Sequence, residues 1–136
     1  MKPNFHISLP CLGIKRTYNF YMNILGANIG RQTNQWIDVN LFGNQLTFVK
    51  SGDYNFSTKN YKFESKVLPS FHFGIILDEK NWNFIYEKSK KSKIIHVDKS
   101  NFLETKTGEH SSFFVKDPNG YIIEFKHFKD TAAIFS

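Results

Sequence analysis

Residues 113–128, FFVKDPNGYIIEFKHF, constrain the fold more than any other stretch: two apolar runs are separated by Asp117-Pro118-Asn119-Gly120. Pro118 fixes one φ and Gly120 is free to take a positive one, so these four residues predict a tight turn between two strands. Side chains alternate along a strand. Ile122, Glu124 and Lys126 therefore fall on one side of the second run, and Tyr121, Ile123, Phe125 and His127 on the other. A carboxylate inside so apolar a strand needs a partner, because an unpaired buried charge is too costly.

The pattern occurs twice. Trp36–Gly43 (WIDVNLFG) matches Phe113–Gly120 (FFVKDPNG), and four residues beyond each glycine Thr47 corresponds to Glu124. Phe5-His6-Ile7-Ser8 likewise matches Phe71-His72-Phe73-Gly74. In the first half, strands are expected at Phe5–Leu9, Ala27–Arg31, Trp36–Leu41 and Gln45–Lys50. Ile14–Leu25 has helix periodicity through Ile14, Tyr18, Tyr21 and Leu25, and Gly26 supplies the stop. In the second half, a strand over Phe71–Leu77 leads to a helix capped by Asp78 and running to about Lys90. Strands at Ile94–Val97 and Asn101–Thr105 and the final hairpin follow. The fold class expected is α+β: two tandem βαβββ modules forming a curved mixed sheet around a cleft. One domain spans 1–136, with module one at 4–50, a linker or lid at 51–70, module two at 71–128 and a tail at 129–136. The 51–70 segment is polar but carries Tyr54, Phe56, Tyr61 and Phe63.

A formal net charge of +6 on 136 residues suits attraction of an anionic small molecule. The basic residues are interleaved with acids and do not form a basic-aromatic tract, which argues against nucleic acid as the partner. Cys11 is the only cysteine, so no intrachain disulfide can form and a reducing, cytoplasmic compartment is expected. No run has the length of a membrane span or the flanks of a signal peptide.

His6 and His72 occupy matching positions of the repeat, Glu124 is the unusual acid inside the last strand, and all three are borderline-to-hard donors. Together they suit a divalent ion such as Zn²⁺, Mn²⁺, Fe²⁺, Co²⁺ or Ni²⁺. Three protein ligands leave positions open for water and substrate, and such an ion can polarise a carbonyl, stabilise an enediolate, or activate water or oxygen. The alternative is structural: His6 and His72 as hydrogen-bonded strand residues, with Glu124 paired to Lys126. Lys126 shares the Glu124 face and is a candidate both for anion binding and for base catalysis. Arg31 is suited to a bidentate contact with an anionic substrate. Ser8 and Gln45 are candidate orienting donors that face inward if the strands are as read, and Trp36 either packs between strands or stacks on substrate. His110, in a loop at the mouth of the last hairpin, is a candidate acid or base.

These residues also resemble the vicinal oxygen chelate superfamily, which contains glyoxalase I, fosfomycin- and bleomycin-resistance proteins and extradiol dioxygenases. The resemblance runs over nearly the whole chain. It rests on Phe5-His6, the helix Arg16–Gly26 (RTYNFYMNILG), Phe71-His72, and the closing segment from Asp117-Pro118-Asn119-Gly120 to Glu124-Phe125. It implies paired βαβββ modules forming a cleft, with His6, His72 and Glu124 as metal ligands. Thr47 stands where a four-ligand glyoxalase has an acid, which favours a three-ligand site. The resemblance further implies a homodimer and a small substrate bearing adjacent oxygens. The activity expected is that of a metal-dependent lyase or isomerase ahead of a dioxygenase. The alternative is a sequestration protein of the bleomycin-resistance type, which holds its ligand without chemistry.

Overall fold

The computed structural model describes residues 2–53 and 55–136, so Tyr54 lies outside the described residues. The chain divides into two compact units, Met1–Phe56 with Asp117–Gly120, and Ser57–Lys116 with Tyr121–Ser136.

The first unit runs β1 (His6–Cys11), α1 (Ile14–Tyr18), a π-helical continuation (Asn19–Ile24), β2 (Asn28–Gln32), β3 (Trp36–Leu41) and β4 (Asn44–Lys50). Its sheet has the order β1-β4-β3-β2, with β1 parallel to β4 and the other pairs antiparallel. Alternation splits it into two faces. Leu9, Cys11, Ile37, Val39, Leu46 and Phe48 are buried on one, where Phe20, Tyr21 and Leu25 of the helical segment join the core. The Tyr21 and Phe48 rings lie 4.8 Å apart. The single helix expected over Ile14–Leu25 thus changes from α to π geometry after Tyr18. Ile14 and Tyr18 are only half-buried, while Thr17 is fully buried and donates to the Gly13 carbonyl at 2.8 Å.

The turn at 117–120 belongs to this unit. The Tyr21 hydroxyl donates to Asp117 Oδ2 at 2.9 Å, and Asn119 Oδ1 accepts from the Leu12 amide at 2.9 Å. Gly120 takes the positive φ, +93°, that the turn chemistry predicts.

The second unit contains β5 (Asn60–Phe63), β6 (Lys66–Pro69), β7 (Phe73–Ile76), α2 (Glu79–Lys91), β8 (Ile95–Phe102), β9 (His110–Lys116) and β10 (Ile122–Phe128). Its main sheet repeats the order of the first: β7-β10-β9-β8, with β7 parallel to β10 and the rest antiparallel. The two strands expected between Ile94 and Thr105 are one, β8, with register shifts between Ile95 and Val97 and between Val97 and Ser100. Asp78 caps α2 as expected, accepting from the Asn81 amide at 2.8 Å. Trp82, Ile85, Tyr86 and Ser89, spaced i, i+3, i+4, i+7, are buried, and the Trp82 and Tyr86 rings pack on Phe113.

Within the segment 51–70, β5 and β6 form a hairpin. Leu68 packs with Phe114 and Ile122, and the Phe63 ring lies 5.4 Å from Phe102. The hairpin therefore covers part of the sheet face that carries Glu124. In the tail, Asp130 caps a short 3₁₀ turn at Thr131–Ala133.

Candidate metal and substrate site

Glu124 lies in β10, an interior strand of the second sheet, opposite Phe114 of β9 and Gly74 of β7. Its carboxylate is buried and answered on three sides. Ser112 Oγ donates to Oε1 at 2.7 Å, Lys126 Nζ lies 3.6 Å from the same oxygen, and His72 Nε2 lies 3.1 Å from Oε2. Burial by itself pushes this carboxyl up. The hydrogen bond from His72, the Lys126 charge and the Ser112 hydroxyl outweigh it and hold the group below its ordinary value.

His72 sits just before β7, and its ring is fixed from both ends. Nδ1 lies 2.9 Å from the Pro69 carbonyl oxygen, an acceptor, so Nδ1 carries hydrogen. The ring meets Phe114 edge-on at 5.4 Å. The hydrogen bond to Glu124 raises the imidazole above its ordinary value, against burial and with help from Pro69. Nε2 and Oε2 are both lone-pair atoms once His72 is neutral, so a proton or another cation must lie between them. A carbonyl on the far nitrogen is the arrangement that aims a ligating histidine. The 3.1 Å separation of Nε2 and Oε2 is a hydrogen-bond distance, and an imidazole nitrogen with a carboxylate oxygen is also a donor set that divalent metals accept. The donor pair fits a divalent metal.

In the first unit, the polar face of the sheet carries the other candidates. His6 is in register with Gln45 and Gln45 with Asn40, while Ser8 is in register with Thr47 and Thr47 with Asp38. His6, Ser8 and Gln45 are solvent-exposed on this face. Asp38 is buried: Thr47 Oγ1 donates to its Oδ1 at 2.6 Å, and Arg31 Nε lies 3.3 Å from its Oδ2. The Arg31 guanidinium stands 5.4 Å from the centre of the Trp36 ring. The acid that the repeat lacks at Thr47 is thus present one strand over, bonded to Thr47.

Among the described residues, no three His, Cys, Asp or Glu side chains are gathered as a metal site. Of the expected ligands, His72 and Glu124 meet in the second unit, and His6 belongs to the first. Lys126 is half-buried and is an ion-pair partner of Glu124. His110 begins β9 on the Glu124 face. Its Nδ1 lies 2.8 Å from the Gly108 carbonyl, and its ring stacks on Phe102 and packs at a tilt against Phe128. Ser112, Asp38 and the Pro69 carbonyl are site groups that sequence reasoning missed. Asp38 was open to detection, since it alternates with Ile37 and Val39 as Glu124 does with Ile123 and Phe125; the other two depend on cross-strand register.

Comparison with family models and with curated proteins finds no match. Solved structures do match over nearly the whole chain. A glyoxalase/bleomycin resistance protein/dioxygenase from Alicyclobacillus acidocaldarius is 27% identical, with 98% of this chain and 97% of that one covered at a TM-score of 0.83. The fosfomycin resistance protein FosX from Listeria monocytogenes is 14% identical, with 93% of each chain covered and a TM-score of 0.67. Lactoylglutathione lyase from Agrobacterium tumefaciens is 10% identical, with 93% and 94% covered and a TM-score of 0.62. With its two four-stranded mixed sheets of repeated order, the chain has the vicinal oxygen chelate fold that its sequence resembles.

Proposed function

We propose that this protein is a divalent-metal-dependent enzyme of the glyoxalase/dioxygenase-like group, acting on a small substrate with vicinal oxygens by lyase or isomerase chemistry. The observation that carries the reading is the pairing of half-buried His72 with buried Glu124, Nε2 and Oε2 lying 3.1 Å apart, with the far nitrogen of His72 on the Pro69 carbonyl. His72 and Glu124 would hold the ion, with His6 as the third ligand. Bound there, the ion would supply Lewis-acid polarisation of a substrate oxygen. Ser112 keeps the Glu124 carboxylate ionised and aimed, and the β5–β6 hairpin keeps water from part of that face. Lys126, paired with Glu124, would balance its charge, and Arg31 would bind an anionic part of the substrate. The same reading makes the protein a cytoplasmic homodimer, which light scattering on the purified chain tests.

A second reading, a sequestration protein that binds its ligand without metal, is favoured by one observation. Lys126 and His72 already neutralise Glu124, so the carboxylate is satisfied without an ion. Metal analysis of untagged protein purified without chelator separates the two. About one ion per chain, lost in His6→Ala, His72→Ala and Glu124→Gln, supports the enzyme. Ligand binding that is metal-independent and untouched by these substitutions supports sequestration.

A further inference from the structure

A β-bulge turns Arg31 onto the polar face of the first sheet. Asn28 pairs with Asn40 and Ile29 with Val39, but the next pair is Gln32 with Ile37. Gly30 and Arg31 together therefore oppose Asp38. Without the extra residue, Arg31 would follow strand parity to the apolar side with Ile29 and Ile37; bulges re-aim side chains in this way. Gly30 adds room, since a Cβ there would stand 3.4 Å from the Asp38 Cβ.

The delivered guanidinium is then fixed at one edge and on one face. Asp38 Oδ2 takes Nε, and the Trp36 ring lies 5.4 Å away. Asp38 is held in turn by Thr47. Yet the Arg31 side chain is 78% exposed, against 9% for Asp38. A guanidinium bound through Nε keeps its two terminal nitrogens as a fork suited to an oxyanion. Next to it is a cavity of about 370 Å³ lined by Arg31, Asp38, Asn40, Asn44 and Gln45. The lining offers amide donors beside the guanidinium, and both Asp38 oxygens already have partners, so the acid positions the arginine without opposing an anion directly.

We infer that Arg31 reads a carboxylate or phosphoryl group on the substrate and that Asp38 is the residue that positions it. This rests on the reading of His6 as a metal ligand at the same face. Asp38 lies two strand spacings across and one side-chain repeat along from His6, roughly 12 Å between backbones. The substrate class is then a vicinal-oxygen compound that also carries an anionic group.

The test is titration of the full-length, chelator-treated protein with inorganic phosphate and, separately, acetate, followed by amide chemical shifts. Saturable shifts at Arg31, Asp38, Asn40 and Gln45 are expected with one of the two anions. Arg31→Ala, at an exposed position, should weaken that binding about tenfold. Asp38→Asn decides the positioning role, because it removes a negative charge and still should weaken binding. Equal or tighter binding in Asp38→Asn overturns that role, and unchanged binding in Arg31→Ala overturns the site. Because the titration is done without metal, failure of metal loading at His72 and Glu124 leaves its outcome untouched.

Discussion

Gly74 and Glu124 face each other in parallel register, and a Cβ on Gly74 would fall 1.9 Å from the Glu124 carbonyl oxygen. No side chain fits there without moving β7 away from β10, the strand that presents Glu124. The clash is with backbone, which cannot swing aside as a side-chain end would. Gly74→Ala is therefore expected to cost about 2 kcal/mol, as over-packing does. Urea unfolding measures it, and an unchanged midpoint would show that the strands are not so closely apposed.

Ser112 is the neutral member of the Glu124 network, fully buried and 2.7 Å from Oε1. Removing its hydroxyl leaves a buried carboxylate oxygen with one partner fewer, at a cost of about 1–2 kcal/mol. Ser112→Ala should lower stability by that amount, and Ser112→Thr should retain most of it. Equal losses in both would mean that packing, not the hydrogen bond, is what the position supplies.

Leu68 ties the β5–β6 hairpin to the second sheet and is 3% exposed, whereas its neighbour Val67 is 56% exposed. Leu68→Ala should cost roughly 2–4 kcal/mol, and Val67→Ala less than about 0.5 kcal/mol. Hydrogen exchange should speed up over Asn60–Pro69 in Leu68→Ala only. Uniform exchange in both variants would contradict the packing.

Tyr86 donates to Asp98 Oδ1 at 2.7 Å, and this bond, with burial, pushes its phenol from 10 up to about 12; the same bond lowers Asp98. A folded value above the unfolded one means the stabilisation is complete below pH 10 and is lost as pH rises through about 12. Asp98 has the opposite sign: its contribution is present above the ordinary carboxylate value and disappears as pH falls through the lowered one. In absorbance titrations at alkaline pH, the difference between wild type and Tyr86→Phe should be one phenol with a midpoint near 12. A midpoint at the ordinary tyrosine value would show that the bond to Asp98 is absent in solution.

The sequence by itself determined what depends on neighbours along the chain. Period-two alternation assigned Glu124 to the side opposite Phe125, and the spacing of Trp82, Ile85 and Tyr86 defined the apolar side of α2. The chemistry of Asp117–Gly120 defined the turn, and two copies of one strand pattern implied two βαβββ modules. Tertiary structure decided what depends on register and approach between segments. Packing of Leu68 on Phe114 and Ile122 docks the Asn60–Pro69 hairpin on the second sheet, and that hairpin brings the Pro69 carbonyl to His72. Cross-strand register sets Ser112 against Glu124, and an extra residue in β2 brings Arg31 over Asp38. A single strand shows which of its side chains share a face, but not which residue of another strand stands opposite them, because that register is set by packing over the sheet as a whole.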